Sequence, residues 1–213
     1  MHFLSPLLEN YIAEHSQSEP KILEELTRET HLKVLRPRMI TGHFQGRVLS
    51  LLSKMMAPTH ILEIGTYTGY SAICLAEGLK KGGELHTIDI NEELRDIQQR
   101  YFAKSAHGAQ IIRHEGDALQ IIPTLDMIFD LVFIDAEKTC YYAYFESALK
   151  KTRPGSIILS DNVLWSGKVL EPVGDSDRAT KTLMEYNKKL KEDPRVETVL
   201  LPIRDGLTLS RVL

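Results

Sequence analysis

The sequence is poor in cysteine: Cys74 and Cys140 are its two thiols in 213 residues. Two cysteines build neither a disulfide framework nor a four-thiolate zinc site. Both lie in apolar stretches, which predicts small buried thiols. Charge of one sign is also lacking. The 26 Lys+Arg face 29 Asp+Glu, a net charge of −3, with a pI near 6.2. That balance argues against a nucleic-acid binder working by phosphate neutralisation, and the segment Lys188, Lys189, Lys191 reads as a solvated helix face. No run approaches the roughly 20 apolar residues of a membrane span. Met1–Leu8 holds no basic segment leading into an apolar stretch, so no secretory signal is expected and the default location is cytoplasmic. Repeats, low-complexity tracts and Pro/Gly/Ser linkers are missing too. With 43% hydrophobic residues, the chain reads as one ordered domain over residues 1–213. Its helical N-terminal part is residues 1–58 and its α/β core residues 59–213.

The first sixty residues carry helical spacing. Ser5 before Pro6 is an N-cap with proline in the first turn, followed by Leu4, Leu7, Leu8, Tyr11 and Ile12 on one stripe. Ser18 and Pro20 open a second helix with Ile22, Leu23 and Leu26 on one face. Phe44, Val48, Leu51, Leu52 and Met55 form a third stripe ending before Pro58. From His60 the pattern changes. Short β-branched runs at Ile61–Ile64, Leu85–Ile90, Gln110–Arg113, Leu131–Ile134 and Ser156–Leu159 alternate with helical stretches at Tyr70–Leu79, Glu92–Lys104, Ala118–Leu125 and Tyr141–Lys150. Asn91 caps the second of these helices, with Glu92 and Glu93 in its first turn. Alternation of this kind predicts a parallel sheet with right-handed crossovers. The tail, Val196–Ile203 and Leu207–Val212 about Asp205-Gly206, predicts an antiparallel hairpin.

Ligands of an open parallel sheet bind beyond the carboxyl ends of its strands. Those ends carry Gly65-Thr66-Tyr67-Thr68-Gly69, Asp89, Gly116-Asp117-Ala118, Asp135-Ala136-Glu137-Lys138 and Asp161-Asn162. Gly65 and Gly69 suit a tight turn close to a ligand, and the helix that follows offers free N–H groups to a negative group. Tyr67 stands at the middle position of a dinucleotide fingerprint, where bulk disfavours a pyrophosphate. Asp89, 24 residues after Gly65, suits a pair of ribose hydroxyls; its alternative is a strand-end carboxylate capping the Asn91 helix. Glu63 lies inside an apolar run, where an acid needs a partner. It either holds the turn through backbone N–H groups or accepts from a ligand ammonium. A ligand with ribose, ammonium and carboxylate is an adenosyl amino acid.

Asp135, Asp161 and Asn162 end neighbouring strands and should converge. Two close carboxylates repel unless a cation lies between them, and an all-oxygen set suits a hard cation such as Mg2+ or Ca2+. The alternative for Asp161-Asn162 is a simple turn. Lys138 is either a solvated helix-start lysine or a general base.

Taken together, these residues resemble the cation-dependent O-methyltransferases, the family of caffeoyl-CoA O-methyltransferase and catechol O-methyltransferase, in its shorter bacterial form. The resemblance rests on Met39-Ile40-Thr41-Gly42 with Gln45-Gly46, on Leu62 through Ser71, and on Gly116-Asp117-Ala118. It continues through Asp130 to Ala136, Asp161 to Gly167, Leu201-Pro202-Ile203 and Asp205-Gly206-Leu207. It implies a Rossmann-like class I methyltransferase fold with strand order 3-2-1-4-5-7-6. It also implies S-adenosylmethionine, a divalent cation (Mg2+, Ca2+ or Mn2+), a small phenolic acceptor such as a vicinal diphenol, and a homodimer. By position, Thr41, Glu63, Gly65, Thr66, Ser71, Asp89, Ala118 and Asp135 match the family's cofactor contacts. Asp135, Asp161 and Asn162 match its metal ligands, and Lys138 its base. Glu137 departs from the family's usual aspartate. Ser166 stands where plant caffeoyl-CoA enzymes carry asparagine, so their substrate does not transfer. The other functions the residues allow are a nicotinamide-dependent oxidoreductase, a non-catalytic binder of the same cofactor, and an RNA methyltransferase, which the missing basic stripe disfavours. The acceptor pocket is expected between the N-terminal helices and the loop from Trp165 to Asp175, with Trp165 bracing the Asp161 turn.

Overall fold

The computed structural model describes residues 5–213; Leu4, expected on the first helical stripe, and the first half of the Met1–Leu8 segment lie outside them. The helical N-terminal part holds α1 (Pro6–Glu14), α2 (Lys21–Lys33), a 3-10 turn at Pro37–Met39 and α3 (His43–Met56). The Ser5 hydroxyl accepts from the Leu8 N–H, as its cap position predicts. Pro20 begins α2 without a side-chain cap, and Leu23 and Leu26 are its buried apolar residues.

The α3 stripe is a correction. Leu51 and Met55 face outward, 61% and 75% exposed, while Gln45, Gly46, Leu49, Ser50 and Ser53 are buried. The inward face is small because α3 packs tightly on α4 (Tyr70–Ala76): a Cβ on Gly46 would lie 2.5 Å from the Tyr70 ring. Its serines are satisfied there, Ser53 donating to the Leu75 carbonyl and Ser50 to Glu77. Hydrophobicity therefore marks the helix, but the demand for close approach chooses its buried side.

The core is a seven-stranded sheet of β1 (His60–Ile64), β2 (Glu84–Asp89), β3 (Ile111–Glu115), β4 (Leu131–Ile134), β5 (Ile157–Asp161), β6 (Val196–Leu201) and β7 (Leu207–Val212). Its order is β3-β2-β1-β4-β5-β7-β6, the order that the family resemblance implies. Strands β1 to β5 run parallel and β7 is antiparallel to both β5 and β6. Side chains alternate between two apolar layers. Ile61, Leu131, Phe133 and Leu159 pack with α2 to α4 and with α5 (Arg95–Lys104). Leu62, Ile64, Val132, Ile134 and Ile158 pack on the opposite face, with α6 (Ala118–Ile121), α7 (Tyr141–Leu149) and α8 (Arg178–Glu192). Burial on both faces is why these strands read as continuous apolar runs.

Elements are shorter than the sequence periodicity suggests where a helix starts or ends as a 3-10 turn. Glu92–Leu94 is such a turn before α5, and Ile122–Thr124 another after α6. Asn91 caps the first, accepting from the Glu93 N–H at 3.0 Å. Lys189 and Lys191 do lie in the last turn of α8. The sequence reading did not delimit that helix, although Asp177 as cap and Leu183, Tyr186 and Leu190 at helical spacing announce it. No helix among the described residues is long and apolar enough to cross a membrane.

Candidate active site

The turn after β1 is held from outside. Asp89 at the end of β2 accepts from the Thr66 N–H (3.0 Å) and the Tyr67 N–H (2.7 Å) through Oδ2, and from the Asn91 N–H (2.8 Å) through Oδ1. A carboxylate offers about four acceptor sites, so one lone pair on Oδ1 stays available on the cavity wall. Gly65 has φ +99°, and a Cβ there would lie 2.2 Å from the Asp135 carbonyl oxygen. Only glycine lets β1 and β4 approach so closely at this point. Tyr67 also adopts positive φ, 48°. Gln98 donates to its carbonyl and its hydroxyl reaches the Leu35 carbonyl.

Glu63 does not hold the turn. It is fully buried and accepts from the Thr87 hydroxyl at 2.5 Å, while its Oε1 has no hydrogen-bond partner. Burial pushes its carboxyl up to about 8; the Ser71 and Thr87 hydroxyls beside it pull the other way, and the charges of Asp135 and Asp89 add to the rise. Thr66 bonds the Thr87 hydroxyl. Glu63, Thr66 and Ser71 therefore form a buried layer behind the loop, not part of the cavity wall.

Asp135 and Asp161 meet because β4 and β5 pair in parallel with Ile134 opposite Ser160. Asp161 is 1% exposed. Burial first, then the Asp135 charge, raises its carboxyl, opposed by the positive Lys138 and Arg204. Asn162 follows at φ 56°. Among the described residues no three His, Cys, Asp or Glu form a metal-holding group; the oxygen set is two carboxylates and one amide. Its all-oxygen donor set fits a hard cation, with Asp161 buried beside a second carboxylate whose Oδ1 accepts from Lys138.

Lys138 is buried, not a solvated lysine. Its Nζ donates to Asp135 Oδ1 (2.8 Å) and to the Tyr141 hydroxyl (2.5 Å), and Tyr141 donates on to the Asp161 carbonyl (2.8 Å). Tyr141 was missed by the sequence reading; its spacing of three from Lys138 is the signal that could have found it. Cys140 is half-buried and lines the cavity, which corrects the expectation of two buried thiols; Cys74 is buried.

All these strand ends open into one cavity of about 1530 Å3, lined among others by Thr41, Gly65, Tyr67, Asp89, Ala118, Asp135, Lys138 and Asn162. Single-ligand pockets run to roughly 300–1,000 Å3, so this cavity is larger than one small ligand requires. Its other end carries Ile12, Met39, Phe44, Trp165, Ser166 and Lys168. Trp165 both packs on the core and faces the cavity, its ring 5.9 Å from Lys138 Nζ. Asp175, the far end of the expected acceptor loop, is not on the wall.

The O-methyltransferase family model matches residues 13–213. A caffeoyl-CoA O-methyltransferase of Petroselinum crispum is 35% identical over 97% of this chain and 91% of its own length. One of Pinus taeda is 36% identical over 97% and 85%. Among solved structures, the O-methyltransferase TomG of Streptomyces achromogenes in complex with SAM has a TM-score of 0.89 at 31% identity, covering 97% of this chain and 96% of that one. An O-methyltransferase of Bacillus cereus in complex with SAH has a TM-score of 0.90 at 31% identity, covering 97% of each. These likenesses remove the nicotinamide-dependent oxidoreductase that the glycine loop and Asp89 left open. A match of this extent, on a sheet of the expected order, means that the chain belongs to the O-methyltransferase family of the caffeoyl-CoA type and is a SAM-dependent enzyme.

Proposed function

We propose that the protein methylates one hydroxyl of a vicinal diphenol in a divalent-cation-dependent reaction. The observation that carries this is the shared cavity, in which Asp135, Lys138 and Asn162 border the same space as the Gly65 loop. Thr41, Gly65, Asp89, Ala118 and Asp135 would face the cofactor, with a ribose hydroxyl donating to the free lone pair of Asp89. Glu63, Thr66 and Ser71 would serve the cofactor indirectly, as the buried layer behind the loop whose turn Asp89 holds. Asp135, Asp161 and Asn162 would hold Mg2+, Ca2+ or Mn2+. A cation held by this set lowers the pKa of a phenolic hydroxyl and orients its oxygen. The apolar walls at Met39, Phe44 and Trp165 suit a flat aromatic ring.

Lys138 would be the general base. In the arrangement described its Nζ is engaged by Asp135 and Tyr141. After one Nζ proton has been lost to solvent, its neutral amine would take the phenolic proton and become the ammonium, while the methyl group would pass from sulfonium sulfur to phenolic oxygen, leaving a neutral thioether. The protein's own contribution is mainly positioning of the two reactants. The outward apolar row of α3, Leu51 and Met55, supports a homodimer, and we place the enzyme in the cytoplasm.

The test is turnover of vicinal diphenols with labelled methyl donor, with and without EDTA, in the wild type and in Asp161→Asn. Both EDTA and the substitution should cost about 100-fold or more, with affinity for S-adenosylhomocysteine kept within about threefold. Full turnover of Asp161→Asn in EDTA would refute the cation.

A further inference from the structure

The turn between β6 and β7 grips two walls of the cavity at once. On one side, Asp205 Oδ1 accepts from the Ser166 N–H, the Asp205 carbonyl from the Leu164 N–H (2.9 Å), and the Gly206 carbonyl from the Val163 N–H (3.2 Å). This fixes the turn against the strand end that carries Asp161 and Asn162. Gly206 is needed for that approach, since a Cβ would lie 2.5 Å from Leu164 Cγ. On the other side stands Arg204, at φ 52°. Its guanidinium donates to the Thr41 carbonyl (2.7 Å), the Ile40 carbonyl (2.8 Å), the Arg38 carbonyl (3.1 Å) and Gln45 Oε1 (3.3 Å). Ile40 and Thr41 lie outside any helix or strand, so their carbonyls depend on partners from elsewhere.

Two of these partners bear directly on the cavity. Thr41 is 6% exposed and forms part of its wall. Gln45 is buried on the same wall; its Oε1 accepts from Arg204, which leaves the Nε2 end of the amide towards the Asp161 carboxylate. The Arg204 bond therefore sets which end of that amide is left as a donor.

We propose that Arg204 is a positioning residue for cofactor binding, a latch that holds residues 38–45 across the cavity and orients the Gln45 amide. The inference rests on the cofactor shared by the family, not on the cation or the diphenol. A planar fork with five donors can serve four acceptors spread over eight residues; a lysine ammonium keeps the charge but not the fork.

Hydrogen exchange and titration with S-adenosylhomocysteine test it on the intact chain. In Arg204→Met, amides of residues 38–46 should lose protection while β1, β4 and β5 keep theirs. The dissociation constant should rise about tenfold, and KM for S-adenosylmethionine should rise by a larger factor than kcat falls. Arg204→Lys should recover less than half of the affinity loss on a logarithmic scale. Unchanged affinity in Arg204→Met, or full recovery in Arg204→Lys, overturns the latch. If Arg204→Met does not fold, Arg204→Lys alone decides: wild-type affinity and exchange refute the proposal, a loss confined to residues 38–46 supports it. An EDTA arm leaves these readings unchanged, so a failure of the cation reading would be seen separately.

Discussion

Glu63→Gln gives a stability test with a definite sign. The wild-type carboxyl is held neutral up to about pH 8 in the folded state by burial, whereas in the unfolded chain it ionises near the ordinary glutamate value of 4.5. Between these values the folded state keeps a proton that the unfolded state has released. Stability from this group is therefore complete below about pH 4.5 and is lost as pH rises towards 8, at about 1.36 kcal/mol per pH unit. From pH 5.5 to 7.5 the wild type should lose roughly 3 kcal/mol that Glu63→Gln does not. The amide also leaves a buried polar group without a partner, a cost of about 1–3 kcal/mol that does not vary with pH. The difference in slope is therefore the reading, not the difference in level. Urea denaturation at three pH values, without cofactor, measures both proteins; other titrating groups cancel in the subtraction. Parallel profiles, differing by less than about 0.5 kcal/mol in their change, would mean that Glu63 is ionised in the folded chain and that its unpartnered oxygen is hydrated.

Gly65→Ala should abolish S-adenosylhomocysteine binding and lower stability by about 3 kcal/mol or more, because the methyl group meets the Asp135 carbonyl at a positive φ; calorimetry reads both. Lys138→Met should slow methyl transfer about 100- to 10,000-fold at saturating substrates, with single-turnover rates as the measurement and a less than tenfold loss as the contrary result. Glu77 accepts both Arg47 guanidinium nitrogens (2.8 and 3.0 Å) and also Lys54 and Ser50. Burial opposes the charge, yet these bonds hold the carboxyl down at about 2. Its stabilisation, about 3 kcal/mol, is present above pH 4.5 and fades as pH falls towards 2. Glu77→Gln should accordingly be less stable at pH 7 and converge on the wild type in acid.

The sequence by itself determined the sheet and its rim. Short β-branched runs between helical stretches located every strand within a few residues, because burial on both faces of the central strands makes them continuously apolar. The glycines at 65 and 69 and the acids at 89, 135 and 161 were legible at strand ends because polar residues mostly interrupt apolar runs where the chain leaves the core, Glu63 being the buried exception. Tertiary structure decided how those residues are used. It gave the turn to Asp89 and sealed Glu63 behind it, since which acid meets the free N–H groups depends on strand register rather than spacing. It turned the apolar stripe of α3 outward, because close contact with Tyr70 favours small residues over large ones. It buried Lys138 against Tyr141 and brought Arg204 to carbonyls more than 150 residues earlier in the chain. Long-range hydrogen bonds to backbone atoms leave no mark on residue type at the accepting end, so no reading of the sequence could have found that contact.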